Sequence, residues 1–494
     1  MTISTAQHPV VRTTGGRVRG EVVGDIGRFR AIPYAAPPVD GLRFAPPARP
    51  SAWDGVRDAR SPGATAPQVH RALPGVDLTP INGPGWRRGP DYLALDVWSP
   101  DTGAGGLPVI VYLHGGAFVA GTGSAAACDG AELARAGVVV VTINYRLGAE
   151  GFLPVPGGAT NIGLRDQIAA VEWVRDNAEA FGGDPGNITL FGHSAGAASV
   201  ACLLRSPLAT GLFHRAIVHS GNDETTRPLA VGHRLGAALA AAAGVEHTAE
   251  ALRTVSSERL LEAQGVVTAR ETRPDLRDPD GFDPGYGLVT FLPVTGDDVL
   301  PSESASAPAG SAPDLLIGTC HDEINVYLVP TRVVDSVDER QAIGVLTASR
   351  PDAAAVLAAY GLGDGVITPG LALARALTDL AFRCPARRLA DRHPGRTYSF
   401  DFRWPSPLRH GRLGACHGLE LPFVFDTLHT AGGPTGLVGD TPPGQIGALM
   451  RRAWVDFATT GDPGWPEYRP DHQVLRIDVE SSVGPDGSSP YAQA

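Results

Sequence analysis

Phe191-Gly192-His193-Ser194-Ala195-Gly196 is the stretch on which the reading of this chain turns. It fits Gly-x-Ser-x-Gly, a pattern that a long glycine-rich chain also produces by accident, so its flanks carry the argument. Ile188-Thr189-Leu190-Phe191 is apolar or β-branched throughout and reads as a buried strand. Ala195 to Leu204 is rich in Ala and Leu and reads as a helix. A serine on so tight a strand-to-helix turn projects its hydroxyl clear of the backbone, and small flanking residues let chain and substrate approach. The helix that follows aims its free N–H groups at developing negative charge. Ser194 is therefore the candidate nucleophile, with a plain turn as the bland alternative.

Outward from the serine, apolar strands alternate with helical stretches, the pattern of a mostly parallel sheet with helices on both faces. Pro108 to Leu113 and Val138 to Ile143 are short and apolar without alternation, as strands buried on both faces should be. Leu164 to Phe181 places Leu164, Ile168, Val171, Val174, Ala178 and Phe181 at helical spacing. Ala216 to His219, Asp314 to Ile317 and Thr397 to Phe402 supply later strands. The expected fold class is α/β, a mostly parallel central sheet flanked by helices. Residues of about 225–290 and 325–395 break the rhythm and read as helical insertions capping the site. Residues 1–479 form the single expected domain, with 302–313 an exposed Ser/Ala/Pro loop and 480–494 a loose Gly/Ser/Pro tail.

A serine hydroxyl is a poor nucleophile until a base takes its proton, and a third group must hold that base in one tautomer. N–H donors are also needed where a tetrahedral oxyanion forms. The strand Pro108 to Leu113 runs into His114-Gly115-Gly116-Ala117-Phe118, a small-residue loop of the oxyanion type. Gly116, Ala117 and Ala195 are the candidate donors. Fourteen histidines make the base harder to choose. His417, in a loop of small residues after a predicted strand, follows the chain order Ser, acid, His; His219 ends a strand; His193 points sideways from the serine. Asp322 and Glu323, just beyond the strand ending near Ile317, both stand where catalytic groups collect. Residue pattern alone leaves either as the acid.

Composition narrows the classes. The formal charge is −11 and there is no long basic run, so nothing points to nucleic acid; that all 41 basic residues are Arg reads as a coding bias. No window approaches the ~20 apolar residues of a membrane span. Met1 to His8 lacks a charged start followed by an apolar stretch, so no signal peptide is expected. Five widely spaced cysteines form no C-x-x-C pair, which argues against zinc or a disulfide framework and for a reduced, cytoplasmic setting.

The run from Phe181-Gly182-Gly183-Asp184-Pro185 through Gly192-His193-Ser194-Ala195-Gly196 resembles the signature of the type-B carboxylesterase and cholinesterase family of α/β hydrolases. Gly16-Arg17-Val18-Arg19-Gly20, Asn144-Tyr145-Arg146-Leu147-Gly148, Asn161 to Gln167, Leu421-Pro422-Phe423 and Thr460-Gly461-Asp462-Pro463 are similar in family order, so the likeness spans nearly the whole chain. It implies the α/β-hydrolase fold and places the triad acid at Glu323 and the base at His417, with Asp322 a structural neighbour. Several departures stand out. His193 replaces a frequent Glu, which implies a missing carboxylate beside the serine, and His219 stands where the family usually has Gln. Ile324 replaces a Gly, and Tyr92 lies where secreted members carry a disulfide cysteine. Ala117 replaces the third glycine of the oxyanion loop, as bacterial esterases of the group often show, which disfavours esters of crowded tertiary alcohols.

The resulting expectation is a carboxylic-ester hydrolase acting through an acyl-serine on small to medium esters, with no metal and no organic cofactor. Its partner is a small-molecule ester, with no nucleic acid and no membrane span; the oligomeric state is open. The alternatives are an acyltransferase or amide hydrolase with the same machinery, and a silent adhesion or scaffold protein on the same fold.

Overall fold

The computed structural model describes residues 8–302 and 312–487. Most of the expected 302–313 loop, the first seven residues and the end of the tail lie outside them. The central sheet has eleven strands. In chain order they are β1 (Glu21–Val23), β2 (Ile26–Pro33), β3 (Ala94–Ser99), β4 (Leu107–Leu113), β5 (Val139–Ile143) and β6 (Gly183–His193). They continue as β7 (Arg215–His219), β8 (Asp314–Cys320), β9 (Thr397–Phe402), β10 (Gln473–Ile477) and β11 (Ser482–Pro485). Across the sheet they run 11-10-9-8-7-6-4-5-3-2-1. Pairs formed among β4 to β10 are all parallel, and antiparallel pairs finish both edges.

The parallel strands are apolar without alternation because both faces are covered. Every residue of β5 is buried, as are Pro108–Leu113 of β4. One face packs α1 (Ile162–Asn177) and α2 (Ala195–Leu203), which share a core with Val111, Leu113, Leu190 and Val218. The other packs α3 (Gly444–Thr460), whose Met450, Trp454 and Phe457 lie among Tyr112, Phe191, Phe400 and Phe425. The helical stretch expected to reach Phe181 stops at Asn177 and tightens into a 3-10 turn, Ala178–Phe181. Buried Arg146 holds β5 to α1 by pairing its guanidinium with both oxygens of Asp166.

One expectation is corrected at the C-terminus. The tail read as loose from 480 includes β11, whose Arg476↔Ser482 and Gln473↔Pro485 pairs extend the sheet edge. Its Ser-Val-Gly-Pro composition carries no strand signal; the open edge of β10 supplies the register, and proline is tolerated because it ends an edge strand. The segments around 225–290 and 325–395 are largely helical, with Leu229–Ala243, Ser257–Thr268, Glu339–Thr347 and Pro369–Thr378 among their helices. Ile324, Leu346, Leu357, Leu373 and Leu377 form a separate buried cluster against Tyr286 and Leu288, which ties the two segments together beside the site. No helix of the described residues is long and apolar enough to cross a membrane.

Candidate active site

Ser194 joins the end of β6 to the start of α2 with φ 55° and ψ −120°, a region that costs a non-glycine residue about 1–3 kcal/mol. The turn closes because the residues two before and two after it are glycines. A Cβ on Gly192 would overlap the carbonyl of Gly196, and one on Gly196 would overlap the carbonyl of Leu113 at the end of β4. The strained residue is held from both sides: its N–H donates to the His219 carbonyl at 2.8 Å, and its carbonyl accepts from Ala198 N–H at 2.8 Å.

The loop after β4 folds over this elbow. Its first residue, His114, is buried and stacks on Tyr145 with ring centroids 4.4 Å apart, while the Tyr145 hydroxyl donates to its carbonyl. Burial pushes the His114 imidazole down to about 4. Gly116 (φ 113°) approaches the Ala120 carbonyl too closely for any Cβ. Ala117 (φ 56°) and Phe118 (φ 60°) follow in the left-handed region, so the loop turns sharply around the serine. Among the described residues no acceptor takes the N–H of Gly116, Ala117 or Ala195.

His417 and Glu323 reach the serine from loops far along the chain. Glu323 follows β8 and is fully buried; its Oε1 accepts the Cys320 N–H at 2.8 Å and its Oε2 stands 2.6 Å from His417 Nδ1. A carboxylate only accepts, so Nδ1 carries the proton and Nε2 presents a lone pair. That lone pair lies 2.8 Å from Ser194 Oγ. The ring of His417 is packed against His193 (4.7 Å), Phe382 (5.0 Å) and Tyr327 (5.9 Å). Asp322, the other candidate acid, turns away: its carboxylate accepts the Ala415 N–H at 3.1 Å and fastens the loop that carries His417.

Behind this trio lies a network that sequence reasoning missed. Buried Glu420 accepts from His219 Nδ1 at 3.2 Å and from the Cys320 thiol at 3.1 Å, and stands 3.7 Å from His193 Nε2. Burial alone would raise the Glu420 carboxyl, but neighbouring His193 and the His219 hydrogen bond outweigh it and hold it near 2. Burial likewise pushes His193 down to about 3. The replacement of the family's Glu by His193 implied a missing carboxylate; Glu420 places one against the same ring. His219, weighed as a base, faces Glu420 and Trp454 rather than the serine hydroxyl. Tyr92, where secreted relatives have a cysteine, donates to buried Glu150 at 3.0 Å. Ile324, in place of a glycine, fills the insertion core.

Two cavities open from Ser194. One, of about 270 Å³, is lined by Phe118, Ala198, Gly221, Leu288, Val289 and Phe382 among others. The second, of about 340 Å³, lies on the His417 side and includes Leu78, Ile81, His193 and Gly418. A serine hydroxyl aimed at a carboxylate-held imidazole, beneath free N–H groups, can attack a carbonyl and receive the resulting negative charge.

Sheet order, elbow and loop define an α/β hydrolase. The chain belongs to the carboxylesterase family, whose description it matches over residues 7–486. It is 35% identical to the para-nitrobenzyl esterase of Bacillus subtilis over 98% of both chains. It is 34% identical to the phenmedipham hydrolase of Pseudarthrobacter oxydans, over 97% of this chain and 96% of that protein. Among solved structures it superposes on the Geobacillus stearothermophilus carboxylesterase with a TM-score of 0.80 and 31% identity, covering 97% of this chain and 98% of that one. Its reaction class is carboxylic-ester hydrolysis by a serine carboxylesterase.

Proposed function

We propose that Ser194 attacks the ester carbonyl, His417 takes its proton, and Glu323 holds the imidazole and steadies its charged form. The observation that carries this is the continuous relay from Glu323 through His417 to Ser194, at 2.6 and 2.8 Å. The N–H groups of Gly116, Ala117 and Ala195 receive the oxyanion. His417 then protonates the departing alcohol, and water repeats the sequence to free the acid.

The division of the cavity follows from that chemistry. A general acid must face the group it protonates, so the compartment bordered by His417 and His193 receives the alcohol. The compartment lined by Ala198, Gly221 and Phe382 then receives the acyl chain. Their sizes suit small to medium esters. One α/β-hydrolase domain carries the chemistry, with the two helical segments supplying much of the acyl wall. All five cysteines are buried free thiols, which supports a reducing, cytoplasmic setting.

The test is covalent. A fluorophosphonate probe should label one residue stoichiometrically, on the peptide containing Ser194, and stop turnover. Label mapping to Ser199 or Ser220 would overturn the assignment.

A further inference from the structure

Both cavities that open from Ser194 share a wall made of Arg71, Leu73, Ala117 and Tyr327. Arg71 is the one side chain with a permanent charge among the described residues that line either compartment. The remaining walls are apolar, small, hydroxyl, amide or imidazole groups, and no carboxylate is among them.

The guanidinium itself is uncommitted. Among the described residues it has no hydrogen-bond or ion-pair partner, in contrast to three other arginines. Arg383 pairs with Asp379, Arg409 donates to the Pro74 carbonyl, and Arg412 pairs with Asp335 at 2.5 Å. The charge of Arg71 is felt inside the site nonetheless. Burial pushes the Tyr327 phenol up to about 12, and Arg71 acts in the opposite direction by favouring its phenolate. Tyr327 in turn packs 5.9 Å from the His417 ring.

A planar guanidinium with open donors, set against apolar walls, matches a carboxylate that can take two parallel hydrogen bonds. Long-range steering does not contribute, because the formal charge of the chain is −11 and repels anions at a distance. The selection must come from contact in the bound state. We propose that Arg71 is a specificity-determining residue that selects esters bearing a carboxylate on the end remote from the scissile carbonyl. This rests on the reading of Ser194 as the nucleophile.

Because Arg71 borders both compartments, the carboxylate can sit on the acyl or on the alcohol portion, and matched ester pairs distinguish the two. For the acyl arm, the mono-para-nitrophenyl ester of adipic acid is compared with its neutral ω-amide. For the alcohol arm, 4-acetoxybenzoate is compared with 4-acetoxybenzamide. The wild-type protein should favour the anion in at least one pair. In that pair Arg71→Gln should lower the anion-to-amide ratio of kcat/KM by roughly three- to thirtyfold, mainly through KM. Arg71→Glu should invert the preference toward an ω-trimethylammonium analogue. Raising salt should shrink the wild-type ratio, because Arg71 is exposed and its charge is screened.

Ratios in both pairs that are the same in wild type, Arg71→Gln and Arg71→Glu overturn the proposal. Ser194→Ala, assayed on the neutral amides, separates this from the reading beneath it. Turnover lost in Ser194→Ala with unmoved Arg71 ratios removes the Arg71 assignment alone. Turnover that survives in Ser194→Ala removes the nucleophile assignment and the proposal with it.

Discussion

The indole N–H of Trp454 donates to Nε2 of His219 across 2.9 Å, and this bond determines the protonation of a buried histidine. Indole nitrogen can only donate, so Nε2 holds a lone pair and the ring is neutral. Its proton therefore sits on Nδ1, where it is given to Glu420. Trp454→Phe keeps most of the packing and leaves Nε2 unsatisfied. The expected cost is about 1–3 kcal/mol in chemical denaturation at pH 7. Nitrogen-15 shifts of His219 should also lose the signature of a single tautomer. An unchanged midpoint together with an unchanged spectrum would contradict this account.

Glu323→Gln and Asp322→Asn are adjacent changes with different expected outcomes. The first removes the acceptor 2.6 Å from His417 Nδ1 and permits the wrong tautomer, a loss of up to roughly ten-thousandfold in kcat. The second weakens only the bond to Ala415 N–H, so activity should fall far less and stability by about 1 kcal/mol. Steady-state kinetics with active-site titration check the pair. Asp322→Asn proving the more damaging would reverse the roles.

Ala117 sits beside Ser194 with φ 56°, a conformation that glycine adopts more readily. Ala117→Gly should keep the loop and remove a methyl group from the wall shared by both cavities. The ratio of kcat/KM for tert-butyl over n-butyl acetate should rise by about tenfold or more. A ratio that stays at the wild-type value would show that bulk elsewhere excludes the tertiary alcohol.

Acid should weaken the fold before carboxylates begin to titrate. His114 and His193 are held down to about 4 and 3 by burial, whereas an unfolded histidine titrates near ~6.5. Below pH ~6.5 the unfolded chain therefore takes up protons that the folded chain refuses, and stability falls with pH. The loss continues until the folded-state values are reached. Between pH 7 and 5 each histidine should contribute about 2 kcal/mol of destabilisation. Urea midpoints across that range check it, and His193→Gln should flatten the slope. A midpoint independent of pH from 7 to 5 would refute the burial argument.

The elbow was legible because its signal is local. Strand Ile188 to Phe191, the two glycines and the Ala-rich helix are contiguous, and each constrains the next. β9 was bounded by its own composition, and β4 and β5 to within a residue at their starts. The choice of Glu323 and His417 was not local. They lie 94 residues apart, and His417 lies 223 from Ser194, so only family likeness separated them from Asp322 and the other histidines. Glu420 escaped although it stands near His417 in sequence, because its partners come from β7 and β8 across the sheet. The lining of the cavity beside Ala198 and Phe382 escaped for a different reason. Pro284 to Val289, Ala381 and Phe382 lie in turns and irregular helix, where side-chain direction follows tertiary packing and leaves no period to read. β11 was missed because an edge, not a composition, made it a strand.

The distance from Ser194 to His417 along the chain also has a biosynthetic meaning. The elbow is synthesised together with its glycines and the residues of its helix, yet its imidazole partner is made 223 residues later. The Trp454 indole that orients His219 is made 235 residues after that histidine. On the proposed roles, a nascent chain displays a serine with no base beside it while it is being built. On the proposed assignment, reactivity arrives with the closing of the fold, so a product truncated before His417 should lose nearly all esterase activity.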